Sequence, residues 1–210
     1  MKQETKIIQT EKITLGKEVM VSDPCYTDPT WCQIKVKNVL PGTYITSVDK
    51  ADLQDWGNRN AYLVAVHKDY VSEDLKWTKH KGEVGVDSGQ AGIFDMETYR
   101  NDSIASSIGL GDGDISFFSK APWDIMNPEE EPGVVWYKAM CSRTLGNRQW
   151  GAYDRGVVSS SGLGDGGYTL YVARVDRKVV GFVIDYGIDE EGKFPPGKKN
   201  YKLHPCIYGL

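Results

Sequence analysis

The stretch that most constrains the fold is a pair of strongly β-prone runs, Tyr168–Val175 and Val179–Tyr186. Three residues, Asp176 to Lys178, separate the two runs, which is a suitable length for a hairpin connection. Both faces of each run are largely apolar, a pattern typical of strands that are covered on both sides. We therefore predict a core hairpin at this position.

A glycine-dense loop precedes this hairpin and carries one acid, Asp165. Consecutive glycines let backbone N–H groups converge, so the loop could cradle an anion. A tight turn with positive φ at several positions is the favoured alternative, because the loop lacks a phosphate-loop motif and leads into a β-prone run. Within the loop, our candidate ligand-binding residues are Gly164, Asp165, Gly166 and Tyr168.

Composition favours an all-β chain. Its 210 residues include 23 glycines and 12 tyrosines but only three histidines, a mixture typical of many turns and half-buried strands. We predict a mostly β fold, either an antiparallel sandwich-like arrangement or a distorted barrel, with little helix. One domain is expected over residues 1–210, with 188–210 as a surface-wrapping tail.

Local patterns predict further elements. Cys32–Val39 alternates apolar and polar residues, and the following Pro41-Gly42 predicts a type II turn with an antiparallel return over Thr43–Val48. Val134–Arg143 is predicted to be a strand, and Glu97–Ile108 is the one helix-like stretch.

The pentapeptide Gly-Leu-Gly-Asp-Gly occurs twice, at 109–113 and at 162–166. Such a short repeat is either a duplication or the same turn used twice before a strand. We favour the second interpretation.

Charge and cysteine content limit the partners and the compartment. The formal net charge of −4 does not favour a nucleic-acid partner, and no apolar run reaches membrane-spanning length. The four cysteines form no C-x-x-C pair and no signal peptide is evident, so we expect a cytoplasmic protein with reduced thiols. Because Cys and His are sparse, no metal site and no cofactor are predicted.

A second candidate binding segment is the glycine-containing turn near residue 88. Asp87, Ser88 and Gln90 could read a ligand through hydrogen bonds, although a constrained turn explains the same residues equally well. Arg143 is also a candidate ligand-binding residue, because arginine suits phosphate or carboxylate, with a surface ion pair as the default alternative.

Catalytic chemistry has less support in the sequence. Cys25 or Cys141 could act as a nucleophile with a histidine as base, but no spacing supports a particular pair. Asp112, Asp114 and Asp165 could offer oxygen ligands to calcium, although the twelve-residue loop with its closing glutamate is missing. No catalytic residue is assigned.

Three segments carry a resemblance to a known family. They read Val-Ser-Asp-Pro-Cys-Tyr (21–26), Gly-Val-Asp-Ser-Gly-Gln-Ala-Gly-Ile-Phe-Asp (85–95) and Ser-Ser-Gly-Leu-Gly-Asp-Gly-Gly-Tyr-Thr-Leu-Tyr-Val-Ala (160–173). The chain, from about Val21 to Tyr186, resembles an uncharacterised bacterial and phage family catalogued as domain of unknown function 4241. The resemblance implies a cytosolic protein in a setting such as toxin immunity or counter-defence, and it transfers no activity.

We therefore expect a non-enzymatic binding protein. Its ligand would be a small polar molecule, with a nucleotide-like signal as one candidate, or a partner protein. The sequence is also compatible with a homo-oligomer. One alternative is a hydrolase that uses Asp87, Asp112 or Asp165 with a divalent ion, and another is a purely protein-binding immunity factor. An enzyme should gather two or more carboxylates in a concave site, whereas a binder should present backbone amides, arginine and aromatics.

Overall fold

The structure is a computed structural model that describes residues 9–116 and 132–188. These ranges contain twelve strands, two α-helices and short 3₁₀ turns. In chain order the elements are β1 (Thr10–Leu15), β2 (Glu18–Ser22), β3 (Ile34–Lys37), β4 (Gly42–Asp52), β5 (Asn58–His67), β6 (Trp77–Lys79), β7 (Val84–Val86), β8 (Gln90–Asp95), α1 (Ala105–Ile108), α2 (Val134–Thr144), β9 (Trp150–Tyr153), β10 (Gly156–Ser160), β11 (Gly166–Val175) and β12 (Lys178–Asp185).

The strands form two antiparallel sheets. Sheet A has the order β1-β4-β5-β12-β11-β6, with β7 paired to the start of β11. Sheet B has the order β3-β2-β8-β10-β9. In the described part of the chain the two sheets stay separate, so the mostly β, sandwich-like prediction is confirmed and its distorted-barrel alternative is not.

The main core lies between the two sheets. Val19 and Ile93 of sheet B meet Leu63, Leu170 and Phe182 of sheet A there, all within one buried cluster. Each such side chain contributes about 2 kcal/mol when it is fully removed from water. This cluster therefore supplies much of the free energy that holds the sheets together.

The outer faces of both sheets are covered as well. On sheet A, Leu75 and Trp77 pack over Val180 and Val183. On sheet B, helix α2 places Trp136 and Met140 against Phe94 and Val158. Strands covered on both sides explain why their sequences are apolar on both faces.

The predicted core hairpin is confirmed as β11 and β12, which lie in the middle of sheet A. Its turn is one residue shorter than expected, because Lys178 already pairs with Val175. Asp176 and Arg177 alone form the connection, with φ of 46° and 66°, as a two-residue turn of the primed type requires.

The predicted hairpin between Cys32–Val39 and Thr43–Val48 is wrong. Strand β3 pairs with β2 in sheet B, whereas β4 pairs with β1 and β5 in sheet A. The segment between them crosses from one sheet to the other, and Val39 forms a parallel bridge with Val179. Gly42 has φ of +149° and lies against the His67 ring, so it is used for close packing and not for a hairpin turn.

The predicted strand at Val134–Arg143 is also wrong, because this segment is helix α2. Asp102 caps the helix: its carboxylate accepts hydrogen bonds from the backbone N–H groups of Gly133 (2.7 Å) and Trp136 (2.8 Å). Trp136, Ala139 and Met140 then share one buried face at helical spacing. This capping acid lies more than 30 residues earlier in the chain, beyond the reach of local pattern reading.

Glu97–Ile108 holds only a 3₁₀ turn and the four-residue helix α1, so it is not the main helix of the chain. Beyond Ile188, the predicted tail at 188–210 lies outside the described residues, so the single-domain and tail assignments stay predictions.

Candidate functional site

Two segments that are far apart in the sequence meet at one end of the sandwich. Gly166 pairs with Val86 at the end of the β7–β11 ladder, so the loop before β11 lies beside the turn at residues 87–89. The backbone N–H of Ser161 also donates to the Gly89 carbonyl (2.9 Å). The structure thus brings together seven of the eight sequence-predicted binding residues: Asp87, Ser88, Gln90, Gly164, Asp165, Gly166 and Tyr168.

A buried carboxylate, Asp23, holds the turn in place. Its side chain lies just beyond β2, is 0% exposed, and accepts the backbone N–H groups of Asp87 (2.9 Å) and Ser88 (2.7 Å). It also accepts the Ser88 hydroxyl (2.6 Å) and the backbone N–H of Cys25 (2.8 Å). Four hydrogen bonds to one carboxylate fix both the turn and the Ser88 side chain.

Helix α2 closes the site from the other side through Gln90. The Thr144 hydroxyl donates to Gln90 Oε1 (2.8 Å), so the amide nitrogen points toward Ser88 Oγ and Cys141 Sγ, both at 3.3 Å. The half-buried Tyr137 is a hydrogen-bonding neighbour of both Ser88 and Cys141. The polar network therefore runs from sheet B across the turn to the helix.

Two hydroxyl groups hold the glycine-rich loop in place through hydrogen bonds to its backbone. Ser161 Oγ (2.6 Å) and Tyr168 OH (2.7 Å) both donate to the carbonyl oxygen of Gly164. The Tyr168 ring in turn packs edge-on against Tyr186, with ring centroids 5.1 Å apart. Gly164 adopts φ of +99° with no atom near the position of a Cβ, as the favoured tight-turn interpretation requires.

Arg143, the eighth predicted residue, lies apart from this group. Its guanidinium donates to four backbone carbonyls, those of Ile108 (2.9 Å), Gly109 (3.1 Å), Ala139 (2.7 Å) and Ala152 (3.1 Å). The side chain is also buried. Arg143 therefore ties helix α2 to its surroundings, and its donors are not directed at a ligand.

The two cysteines considered as nucleophiles are poorly suited to that role. Burial raises the pKa of the Cys25 thiol, and the negative charge of Asp23 raises it further. Burial likewise raises the pKa of Cys141. Of the two described histidines, His67 packs against Tyr44 and His80 contacts the Lys81 carbonyl, so neither is placed as a base for these thiols.

The carboxylates of the hydrolase hypothesis do not all converge. Asp87 and Asp165 each lie one residue outside the β7–β11 ladder at the same end of it, but Asp112 packs against Gly146 after the end of α2. Asp114 belongs to the same distant loop and accepts a hydrogen bond from the Ser116 N–H. Among the residues described, no three His, Cys, Asp or Glu side chains are grouped as a metal site would need.

Several residues of the site were missed in the sequence. Asp23 was not considered as a site residue. Tyr137 and Cys141 lie within the supposed strand at 134–143, where only Cys141 was considered, as a nucleophile, and Thr144 follows that segment directly. Their spacing of four and three residues is that of one helix face. A helical reading of this segment would have placed all three side chains together.

Searches against protein-family models, curated proteins and solved structures found no significant match to this chain. Neither of the described helices is long and apolar enough to span a membrane. The functional assignment therefore rests on the geometry of the site.

Proposed function

We propose that this chain is a binding protein that recognises a small polar ligand at one surface. We call it the loop surface and define it by the turn Asp87–Gln90, the loop 161–168 and the three α2 residues Tyr137, Cys141 and Thr144. The single observation that carries the proposal is the fixation of the Asp87–Gln90 turn by Asp23, which accepts three hydrogen bonds from Asp87 and Ser88. A surface that is ordered before binding loses less conformational entropy when a ligand arrives.

The state of the reactive groups supports binding in preference to catalysis. The Ser88 hydroxyl donates a hydrogen bond to Asp23, and no imidazole contacts Ser88 in the described part of the chain. The Cys141 thiol is held protonated by burial, which raises its pKa. The groups at the loop surface therefore act as fixed hydrogen-bonding partners.

The biological setting that we propose follows only from the sequence resemblance. A bacterial or phage protein of counter-defence or toxin immunity would act by sequestering a small molecule or by binding a partner. The preorganised loop surface favours the small molecule.

Native mass spectrometry tests the binding role directly. The protein is purified from a bacterial lysate, incubated with a mixture of nucleotides, amino acids and amines, and weighed before and after denaturation. We expect one small molecule to be retained and then released with its mass unchanged. A cleaved or otherwise altered compound would show that the chain is an enzyme.

Two variants locate the binding. Ser88→Ala removes a hydroxyl from the loop surface and should weaken retention about tenfold, the effect of losing one hydrogen bond to a charged or strongly polar group. Ser72→Ala removes an exposed hydroxyl elsewhere and should leave retention unchanged. Thermal unfolding of both variants separates lost binding from lost folding, and equal retention in both would place the ligand elsewhere.

A further inference from the structure

The last strand of sheet A points toward the tip of the β4–β5 hairpin. Strand β12 runs antiparallel to β5, and Asp185 lies opposite Tyr62. The Tyr186 N–H then donates to the Ala61 carbonyl (3.0 Å), so the chain continues toward the start of β5 as the strand ends. The hairpin tip, residues 53–57, is the next part of sheet A in that direction.

Ile188 is the point at which the chain leaves this sheet. Its side chain is 2% exposed and packs in a small buried cluster with Ala51 and Ala61, against the half-buried Leu53. Gly162 lies directly over it, because a Cβ at that position would be 2.9 Å from the Ile188 Cδ1. The exit from the core therefore lies beside both the hairpin tip and the glycine-rich loop.

Two exposed apolar side chains border this exit. Trp56 of the hairpin tip is 65% exposed, and Leu163, the residue after Gly162, is 50% exposed. Together with Leu53 they form what we call the exit patch. An exposed tryptophan alone needs no explanation, but apolar side chains grouped around one point of the chain mark a surface that another segment or molecule covers.

Hydrogen bonds within the hairpin tip hold Trp56 in one place. The Leu53 N–H donates to the Gly57 carbonyl (3.0 Å), and the Trp56 N–H donates to the Leu53 carbonyl (3.1 Å). The Arg59 guanidinium donates to the Trp56 carbonyl (2.9 Å). The backbone that carries the exposed indole is therefore ordered in advance, which lowers the entropy cost of docking a segment on it.

The sequence that follows the exit complements the exit patch in polarity and charge. Residues 192–210, which we call the basic segment, contain four lysines, one histidine and no acidic residue. They also carry six large apolar side chains: Phe194, Tyr201, Leu203, Ile207, Tyr208 and Leu210. Beside the patch, Asp52 and Asp55 are exposed and can pair with lysines. Residues 189–191 span at most about 10 Å, so the basic segment begins within reach of the patch.

From this geometry we propose that the basic segment docks on the exit patch of its own chain, with its apolar side chains against Trp56 and Leu163. Because the segment starts beside the patch, its local concentration there is far higher than that of a separate molecule. Since Leu163 belongs to the loop surface, the docked segment would border the place where the ligand is proposed to bind. The inference goes beyond the proposed function and does not depend on it.

A cysteine of the basic segment provides the means to test this. Cys206 can carry a nitroxide spin label, which broadens the NMR signals of nearby amides. Among the described residues Cys32 and Cys141 are buried, so Cys25→Ser removes the remaining partly exposed thiol. The label is then attached to the intact, isotope-labelled chain.

The expected result is a loss of signal at one end of sheet A. The amide signals of Gly57 and Leu163 should lose most of their intensity, because both residues lie at the exit patch. Asp69 lies beyond the other end of β5, a strand of ten residues, and is therefore about 30 Å from the hairpin tip. Its signal should keep its intensity.

Two tryptophan variants show whether the exit patch is responsible. Trp56→Ala removes the largest apolar side chain of the patch and should restore most of the Leu163 signal in the spin-labelled chain. Trp31→Ala removes a tryptophan that is 94% exposed outside the patch, and it should leave the Leu163 signal broadened. Unchanged chemical shifts of Ala61 and Ile188 verify that both variants keep the fold. Equal broadening in the two variants would overturn the inference.

The other outcomes also decide the question. If Gly57 and Leu163 keep their intensity in the spin-labelled chain, the basic segment does not dock on the exit patch and the inference is wrong. A spin-labelled chain without isotopes is next mixed with an isotope-labelled chain without the nitroxide. Broadening of Leu163 in this mixture would show that a second copy supplies the segment, which contradicts docking within one chain. None of these results changes ligand retention in native mass spectrometry, so the two proposals fail separately.

Discussion

The two copies of Gly-Leu-Gly-Asp-Gly, at 109–113 and 162–166, have one sequence and two backbone conformations. Their first glycines agree, since Gly109 and Gly162 have φ of 68° and 69°. The later glycines differ. Gly164 and Gly166 have φ of 99° and 153°, whereas Gly111 and Gly113, the corresponding residues of the first copy, lie outside the positive-φ region. The interpretation that both copies form the same turn is therefore wrong.

The two copies also need glycine for different reasons. A Cβ on Gly111 would lie 2.5 Å from the Ser142 carbonyl oxygen and 2.8 Å from the Arg143 Cα, so the first copy needs glycine for close approach to helix α2. A Cβ on Gly164 would meet nothing within 4 Å, so this position needs glycine for its backbone angle. Identical sequences thus satisfy two unrelated physical requirements.

Opposite hydrogen-bonding groups hold the two copies in place. In the first copy the backbone N–H groups donate, from Gly111 to Ser142 Oγ (2.8 Å) and from Gly113 to the Ser142 carbonyl (2.8 Å). In the second copy a carbonyl, that of Gly164, accepts two hydroxyl groups. The surroundings of each copy, and not its own sequence, select the conformation.

The largest effect is expected for Gly111→Ala. The new Cβ would collide with backbone atoms of α2, which cannot move aside as a flexible side chain could, so unfolding free energy should fall by about 3 kcal/mol. Urea unfolding measures the change. Gly109→Ala is the control within the same copy, because no atom lies within 4 Å of the new Cβ, and its unfolding free energy should fall by less. An equal fall in both variants would mean that the close approach of Gly111 to α2 is not the cause of the loss.

A smaller loss is expected for Gly164→Ala. The substitution meets no atom, and the residue is strained only by its positive φ, so about 1–2 kcal/mol should be lost in the same urea assay. A loss as large as that of Gly111→Ala would contradict the distinction between close approach and backbone angle.

Tyr168→Phe should lower stability by about 1 kcal/mol, because it removes one of the two hydroxyl donors to the Gly164 carbonyl and leaves the ring in its packing against Tyr186. Thermal unfolding and NMR of the loop signals give the measurement. Ser161→Ala removes the other donor and is the matched comparison. Unchanged loop signals in both variants would show that the carbonyl does not hold the second copy.

The smallest effect concerns Asp114, which follows the first copy where Gly167 follows the second. Hydrogen bonds from the side chain and the backbone N–H of Ser116 lower the pKa of this exposed carboxyl. The turn that they form is therefore favoured above the pKa of the unfolded chain and is lost as pH falls through the lower folded value. A carboxyl NMR titration should show a midpoint below that of an ordinary aspartate, and Ser116→Ala should raise it.

Much of the sheet structure could be predicted from sequence, because the pattern of apolar and polar residues along a strand reflects which of its two faces are buried. The two runs of the core hairpin are apolar on both faces since one face meets sheet B and the other meets Leu75 and Trp77. The turn at 87–90 and the loop at 162–166 were both recognised as special because glycine and acidic residues mark such positions. Neither pattern could say that the two segments touch.

The errors arose where distant residues decide the outcome. Helix α2 begins with β-branched and aromatic residues, and the cap from Asp102 and the packing against Phe94 stabilise it as a helix. The supposed β3–β4 hairpin failed because Val39 and Leu40 join Val179 of the other sheet. Asp23 was missed as a site residue because two of its three partner residues, Asp87 and Ser88, lie more than 60 residues away in the sequence, beyond the reach of a strand pattern.

The bond between Asp23 and Ser88 spans 65 residues, and the loop surface also needs Tyr168 and helix α2. No fragment that ends before residue 168 holds all of these parts. During synthesis the ribosome must therefore release most of the chain before the loop surface can exist. A nascent or truncated chain that ends before residue 168 would therefore lack the proposed binding surface.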